Sequence, residues 1–305
     1  MITCSAPAKV YLFGEHAVVY NESAICCAVN IRTRVNIEYS ENIVINSSLG
    51  TTGIDYEIHP YVSAVVEKIR KKSPYRGVSI SIESDIPVGS GLGSSAAVVV
   101  ATICAFNNLL KLGMDKESIA SFGHSIEKEI QGAASATDTY VSTMGGTVAI
   151  PARRHLKNPL CNLVIGNTNV FSSTGQLVAK VASLKSIYPE VITPILSTIG
   201  KASLRGESLL ENEDYRALGE LMNVNQGLLE AIGVGCDELS RLIHSSRTAG
   251  ALGAKITGAG GGGCMVALAE NENIDAISRE IKNAGGIPIV TGVTDSGVRV
   301  DFDYE

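Results

Sequence analysis

"PVGSGLGSSAA", from Pro87 to Ala97, combines three glycines and three serines with no charge, and an apolar run reaching Phe106 follows it directly. Glycines let backbone N–H groups approach a ligand without intervening side chains. A helix that opens at Ser94 then presents its unsatisfied N–H groups and positive dipole end to an anion. The stretch predicts a loop that binds a di- or triphosphate, with a plain strand-to-helix turn capped by serine as the alternative. No GxxxxGK[ST] pattern occurs in the sequence, which excludes the common P-loop.

A second glycine-rich stretch, "KITGAGGGGCMVAL", runs from Lys255 to Leu268. Gly258 to Gly263 fits G-x-G-x-x-G by letter, but a strand-like segment follows where a dinucleotide-binding fold requires a helix. A Rossmann site is therefore excluded. Glycine in regular structure costs about 0.5–1 kcal/mol relative to alanine, so this run predicts a second loop that lines a pocket with bare backbone.

Charged residues in two further stretches are candidates for chemistry. In "SAPAKVYLFGEHAVVY", Lys9 lies between apolar residues, and Glu15 and His16 follow a glycine at the end of a strand, where polar groups often face a site. In "IEKEIQGAASATDTY", Glu127 lies near the end of a helix and Asp138 follows small residues at 132–137 that leave room for a ligand. Asp138 is expected just before a strand. Taken singly, each of these residues fits a solvated surface position equally well.

Hydrophobic periodicity indicates a mixed α+β fold, because strands and helices do not alternate as regular βαβ units. Four successive strands are expected at "KVYLFG", "AICCAVNI", "RVNIEYS" and "IVINS", and Asp115 is expected to cap a helix that follows it. A boundary near "PARRHLKNP" predicts two domains, residues 1–155 and 156–305.

Bulk composition excludes several classes of protein. The formal net charge of −6 argues against a nucleic-acid partner, which usually requires a basic face. The N-terminus lacks the features of a signal peptide, and the longest apolar run is about half the ~20 residues of a membrane span, so no membrane partner is expected. The seven cysteines include no CxxC pair, which favours buried thiols in a reducing cytoplasm.

Together the four stretches resemble the GHMP small-molecule kinases. "PVGSGLGSSAA" is similar to the family's ATP loop, "KITGAGGGGCMVAL" to its C-terminal glycine motif and "SAPAKVYLFGEHAVVY" to its N-terminal motif. The resemblance implies a two-domain α+β fold, with an N-terminal domain like domain 2 of ribosomal protein S5, a ferredoxin-like C-terminal domain and the active site between them. It also implies a homodimer.

The resemblance further implies a role for each matched residue. Asp138 corresponds to the catalytic aspartate and Lys9 to the lysine that pairs with it, while Glu127 and one serine, Ser95 in preference to Ser94, correspond to Mg²⁺ ligands. The residues that correspond to the acceptor site are Glu15, His16, Gly260 and Gly261. Those that correspond to the ATP-phosphate loop are Pro87, Gly89, Ser90, Gly91, Leu92, Gly93, Ser94, Ser95 and Ala96.

Within the family, "GEHAVVY" is typical of members that phosphorylate the 5-hydroxyl of mevalonate with Mg-ATP. The alternatives are another member that acts on phosphomevalonate or a sugar, and a non-catalytic sensor of ATP or a metabolite. The chain departs from the family pattern at Ala8 and Asn21, where glycine is usual, and asparagine tolerates the left-handed conformation. His16, Lys201 and Arg205 all remain candidates for binding the carboxylate of the acceptor.

Overall fold

Two β-sheets, one built mainly from each half of the chain, form the framework of the protein. The structure is a computed structural model and describes residues 1–132 and 135–303. Two of the small residues expected to leave room for a ligand, 133 and 134, lie outside the described residues. No helix in the described ranges combines the length and apolar character that crossing a membrane requires.

The first sheet has the strand order β12-β1-β2-β5-β3-β4, and β6 joins β2 to β7. β3 pairs with β5 in parallel, and the other pairings among the described strands are antiparallel. The strands are β1 (Ile2–Phe13), β2 (Ala24–Tyr39), β3 (Val44–Ser47), β4 (Gly50–Thr52), β5 (Val78–Ser84), β6 (Thr147–Ile150), β7 (Arg154–Leu156) and β12 (Arg299–Asp303).

β2 is one continuous strand of 16 residues, so the prediction of two strands at "AICCAVNI" and "RVNIEYS" was wrong. Arg32 interrupts the apolar pattern of the sequence there, but it lies inside the strand and is 3% exposed. Its guanidinium donates to the carbonyl oxygens of Ser5 (3.0 Å), Ser296 (2.9 Å) and Gly297 (2.7 Å). Because these bonds satisfy the buried charge, the strand continues through it.

The last strand, β12, pairs antiparallel with β1. The proposed division between residues 155 and 156 cuts through β7 and assigns β12 to the second domain, although β12 belongs to the first sheet. The reason is that pairing with the edge of β1 is a long-range choice that the sequence of β12 does not reveal. For the remaining elements the two-domain division stays a prediction.

Of the four helices of the first half, α2 and α4 pack against this sheet, and α1 and α3 pack on α2. The apolar run of α2 is buried on every side, since α2 contacts β1, β2, α1, α3 and α4. α3 begins after the expected cap, with the Asp115 side chain accepting from Ser118 N at 2.8 Å. The helices are α1 (Pro60–Lys72), α2 (Ser94–Leu109), α3 (Lys116–Gln131) and α4 (Ala136–Met144).

α4 occupies the segment after Ser135 where the sequence predicted a strand, and that prediction was wrong. The segment "TDTYVSTM" is rich in β-branched residues, which favour strands locally. Ser135 caps the helix, however, by accepting from Thr137 N at 3.2 Å, and α4 packs on α2 and α3. Tertiary packing therefore decides the conformation and puts Asp138 in the first turn of a helix.

The second sheet is antiparallel in the order β11-β8-β10-β9. Helix α6 of this half also packs on the first sheet. Its Gly206 lies so close to β1 that an added Cβ would be 2.8 Å from the Phe13 ring. The elements are β8 (Asn162–Asn167), α5 (Thr174–Ile187), α6 (Pro189–Glu211), α7 (Tyr215–Ala231), α8 (Asp237–Thr248), β9 (Gly253–Thr257), β10 (Cys264–Ala269), α9 (Ile274–Asn283) and β11 (Ile287–Thr291), with 3₁₀ helices at Ala17–Tyr20 and Asn271–Asn273.

Candidate active site

A buried lysine and a partly exposed aspartate meet between β1 and α4. Lys9 Nζ lies 3.2 Å from Asp138 Oδ2, and the two side chains are 3% and 28% exposed. β1 delivers the ammonium from the interior, while the first turn of α4 holds the carboxylate where a ligand from solvent can reach it. The structure thus brings together the two residues that the sequence proposed as a catalytic pair.

The loop from Pro87 to Ala97 is fixed directly to this pair. Lys9 N donates to Leu92 O at 2.9 Å. Gly93 caps α2 in the left-handed conformation, with φ of 75°. A Cβ at Gly93 would lie 3.0 Å from Lys9 Cγ and 3.7 Å from Asp138 Oδ2. The first amides of α2, from Ser94 to Ala96, therefore begin beside the lysine–aspartate pair.

Gly93→Ala is expected to lower kcat at least about 10-fold, because the added methyl group displaces Lys9 and small misplacements of reacting groups are costly. Gly113→Ala is the matched control. Gly113 also has a positive φ of 69°, but a Cβ there meets nothing within 4 Å. Both variants should lose about 1–2 kcal/mol of stability from backbone strain. Equal kcat values in the two variants, measured with purified folded protein, would contradict the expectation.

A serine and a buried glutamate lie next to the pair. Ser95 Oγ donates to Glu127 Oε1 at 2.7 Å, and Glu127 is 2% exposed. Burial, with a smaller contribution from the Asp138 charge, raises the pKa of the Glu127 carboxyl to about 7. Mg²⁺ binds oxygen ligands, among them hydroxyls, carboxylates, phosphates and water. Ser95 offers a hydroxyl, and Glu127 offers a carboxylate that lacks a full counter-charge. The residues present therefore fit a bound Mg²⁺.

Glu15 belongs to a buried ion pair that the sequence did not reveal. Lys255 Nζ contacts Glu15 Oε1, and their side chains are 0% and 1% exposed respectively. Lys255 also donates to Ile256 O at 2.5 Å, and Asn225 Nδ2 lies 3.4 Å from Glu15 Oε2. Burial raises the pKa of Glu15 and lowers the pKa of Lys255, and each charge opposes the shift of its partner. The available signal was Lys255 itself, a charged residue within a strongly apolar strand.

His16 acts in this structure as a neutral hydrogen-bond donor. Its Nε2 lies 2.8 Å from Ala259 O, and because a carbonyl oxygen only accepts, the proton sits on Nε2. Burial lowers the pKa of His16, which disfavours the imidazolium form. The other two candidates for binding an acceptor carboxylate, Lys201 and Arg205, lie on the exposed surface of α6.

The two glycine-rich loops pack backbone against backbone. A Cβ at Gly258 would lie 3.0 Å from Gly91 O, and one at Gly263 would lie 2.7 Å from Ser90 O. Side chains at these positions would push the loops apart. This close approach explains why the run consists of glycines despite the conformational cost of glycine. β10 follows the run, in agreement with the rejection of a Rossmann site.

Gly260 and Gly261, proposed for the acceptor site, lie against the connection between α7 and α8. Gly261 N donates to Val234 O at 2.8 Å, and a Cβ at Gly260 would clash with the same oxygen. Their assignment to the acceptor site stays a prediction. The departures from the family pattern are accommodated, since Asn21 adopts φ of 64° and Ala8 lies within β1.

Models of known protein families match both halves of the chain. The family model of the GHMP kinases N terminal domain matches residues 60–146, and that of the GHMP kinases C terminal matches residues 207–287. The mevalonate kinase of Pyrococcus abyssi is 43% identical over 329 residues, which cover 99% of this chain and 98% of that protein.

Two solved structures share the fold over almost the whole chain. The mevalonate kinase of Methanococcus jannaschii superposes with a TM-score of 0.86 at 28% identity, covering 96% of this chain and 98% of that one. The L. major mevalonate kinase in complex with R-mevalonate gives a TM-score of 0.84 at 26% identity, with coverage of 95% and 94%.

Two sheet-and-helix halves that meet at paired glycine loops beside a lysine–aspartate pair define a GHMP kinase, and the chain belongs to that family. An identity of 43% over nearly the full length places it with one branch of these enzymes. Within the GHMP kinases, the chain belongs to the mevalonate kinases.

Proposed function

We propose that the protein transfers the γ-phosphoryl group of ATP to the 5-hydroxyl of mevalonate. The observation that carries the proposal is the Lys9–Asp138 pair, 3.2 Å apart and in contact with the Pro87–Ala97 loop. Support for mevalonate as the acceptor comes from the relatives, which are named mevalonate kinases, and from the L. major structure, which contains R-mevalonate.

The chemistry requires positioning and charge stabilisation more than covalent participation of the protein. The N–H groups at the start of α2 would hold the phosphates of ATP, and Ser95 and Glu127 would hold Mg²⁺. When bound, Mg²⁺ neutralises charge on the phosphate oxygens. Asp138 orients the acceptor hydroxyl and takes its proton as the new oxygen–phosphorus bond forms and the bond to ADP breaks. Lys9 stabilises the negative charge that develops on the transferred group.

A cytoplasmic location and a homodimeric state complete the proposal. The thiol state of the seven cysteines, all within the described ranges, is typical of proteins in reducing compartments. The homodimer rests on the family resemblance alone. Size-exclusion chromatography with light scattering tests it directly: a mass near twice the 32.0 kDa of one chain is expected, and a mass near 32.0 kDa would refute it.

The first experiment is an ADP-release assay with Mg-ATP and four acceptors in parallel: mevalonate, phosphomevalonate, galactose and homoserine. Release is expected with mevalonate only, at least about 100-fold above the no-acceptor control, because efficient transfer requires the acceptor hydroxyl to be held in line. Release with another acceptor would retain the phosphoryl chemistry but refute the substrate. Folded protein that binds ATP and releases no ADP with any acceptor would favour a sensor.

A further inference from the structure

The Lys9 ammonium has a second neighbour besides Asp138. Its Nζ lies 4.4 Å from the centroid of the Tyr11 ring. Because side chains two residues apart in a strand lie on the same face, β1 itself sets this stacking. Tyr11 is 6% exposed and belongs to a buried cluster with Cys26, Val141 and Val148. Lys9 is therefore held between an aromatic ring and a carboxylate.

Tyr11 packs against the helix that carries Asp138, since Tyr140 and Val141 of α4 belong to the same buried cluster. Burial raises the pKa of Tyr11, so the phenol stays neutral. The backbone of Tyr11 is also anchored, since its N–H donates to Thr257 Oγ1 at 2.8 Å.

We propose that Tyr11 is a positioning residue for phosphoryl transfer, whose ring, packed on α4, holds the Lys9 ammonium against Asp138. This inference rests on the proposed function. Tyr11 itself does not touch the reacting atoms.

The Tyr11 ring matters to the Lys9 ammonium because the Lys9 side chain is only 3% exposed and has one carboxylate 3.2 Å away. An aromatic face stabilises a buried ammonium more strongly than an ammonium that is exposed to water. An aliphatic side chain of similar volume would fill the cluster around Tyr11 but offer no negative face. The Lys9 ammonium would then lose its aromatic contact, while the protein core would remain packed.

The test compares Tyr11→Leu and Tyr11→Phe with Tyr140→Leu as the matched control. Tyr140 belongs to the same buried cluster, is 5% exposed, and has the guanidinium carbon of Arg153 4.7 Å from its ring centroid. Tyr11→Leu is expected to lower kcat about 10- to 30-fold, with the KM for ATP changed less than about 3-fold. Tyr11→Phe keeps the ring and should retain kcat within about 5-fold of wild type. Tyr140→Leu should lower Tm comparably but leave kcat within about 2-fold.

NMR spectroscopy of the Lys9 side chain gives a readout that does not depend on any acceptor. The Tyr11 ring current should shift the Lys9 Hε signals upfield in wild type and in Tyr11→Phe, and Tyr11→Leu should abolish the shift. Lys9→Met assigns these signals. If Tyr11→Leu does not fold, Tyr11→Met replaces it, because methionine adapts its shape to irregular spaces.

Three results would overturn the inference: an unchanged kcat in Tyr11→Leu, an equal loss of kcat in Tyr140→Leu, or Lys9 Hε signals without a ring-current shift. Absence of mevalonate-dependent turnover in wild type would refute the proposed function instead. In that case the NMR comparison still decides whether Tyr11 holds Lys9.

Discussion

Asp138→Asn and Lys9→Met are each expected to lower kcat about 10³-fold or more, while the affinity for ATP changes less than about 3-fold. Asparagine preserves the shape of Asp138 but cannot take the proton of the acceptor hydroxyl. Methionine preserves much of the volume of Lys9 but removes the charge that stabilises the transferred phosphoryl group. The nucleotide is held separately in the proposed site, by the Pro87–Ala97 loop and by Mg²⁺ on Ser95 and Glu127.

Single-turnover kinetics with mevalonate would measure this loss, and titration with a non-hydrolysable ATP analogue would measure the affinity. Lys157→Met and Glu213→Gln are matched controls. Lys157 Nζ lies 2.5 Å from Glu213 Oε1, both side chains are nearly half exposed, and neither residue belongs to the proposed active site. Exposed pairs contribute little, so these controls should keep kcat within about 2-fold. Near-normal turnover in a folded Asp138→Asn or Lys9→Met variant would refute the assignment of that residue.

Lys255→Met alone is expected to destabilise the protein by about 3–5 kcal/mol, and Glu15→Gln alone by a comparable amount. Each single substitution leaves the other charge buried without its partner, and both side chains are at most 1% exposed. The double substitution Glu15→Gln with Lys255→Met removes both charges and should recover most of the loss. The expected pattern is therefore strong non-additivity between neighbouring sites.

Urea unfolding followed by circular dichroism would measure these free energies for wild type, the two single variants and the double variant. The pair formed by Lys157 and Glu213 again serves as the control, with an expected loss below about 1 kcal/mol for either partner. Single variants that each lose less than about 1 kcal/mol would show that Glu15 and Lys255 are not energetically paired. A double variant whose loss of unfolding free energy equals the sum of the two single losses would lead to the same conclusion.

Local patterns in the sequence predicted much of the fold. The helix at Lys116–Gln131 follows from its Asp115 cap. The glycine loop before Ser94 follows from composition. These predictions succeeded because each depends on interactions within a few residues along the chain. The strand predicted after Asp138 failed because packing of α4 on α2 and α3 outweighs the β-propensity of the segment.

The sequence by itself determined which chemical groups the site contains: two glycine loops, a lysine and an aspartate in family motifs, and a serine at the start of an apolar helix. Only the tertiary structure decided how they pair. Glu15 and Lys255 are 240 residues apart, and Lys9 of β1 meets Asp138 on α4. The physical reason is that local propensity acts over a few residues, whereas the energy of a buried charge depends on which neighbours exclude water from it once the two sheets have closed together.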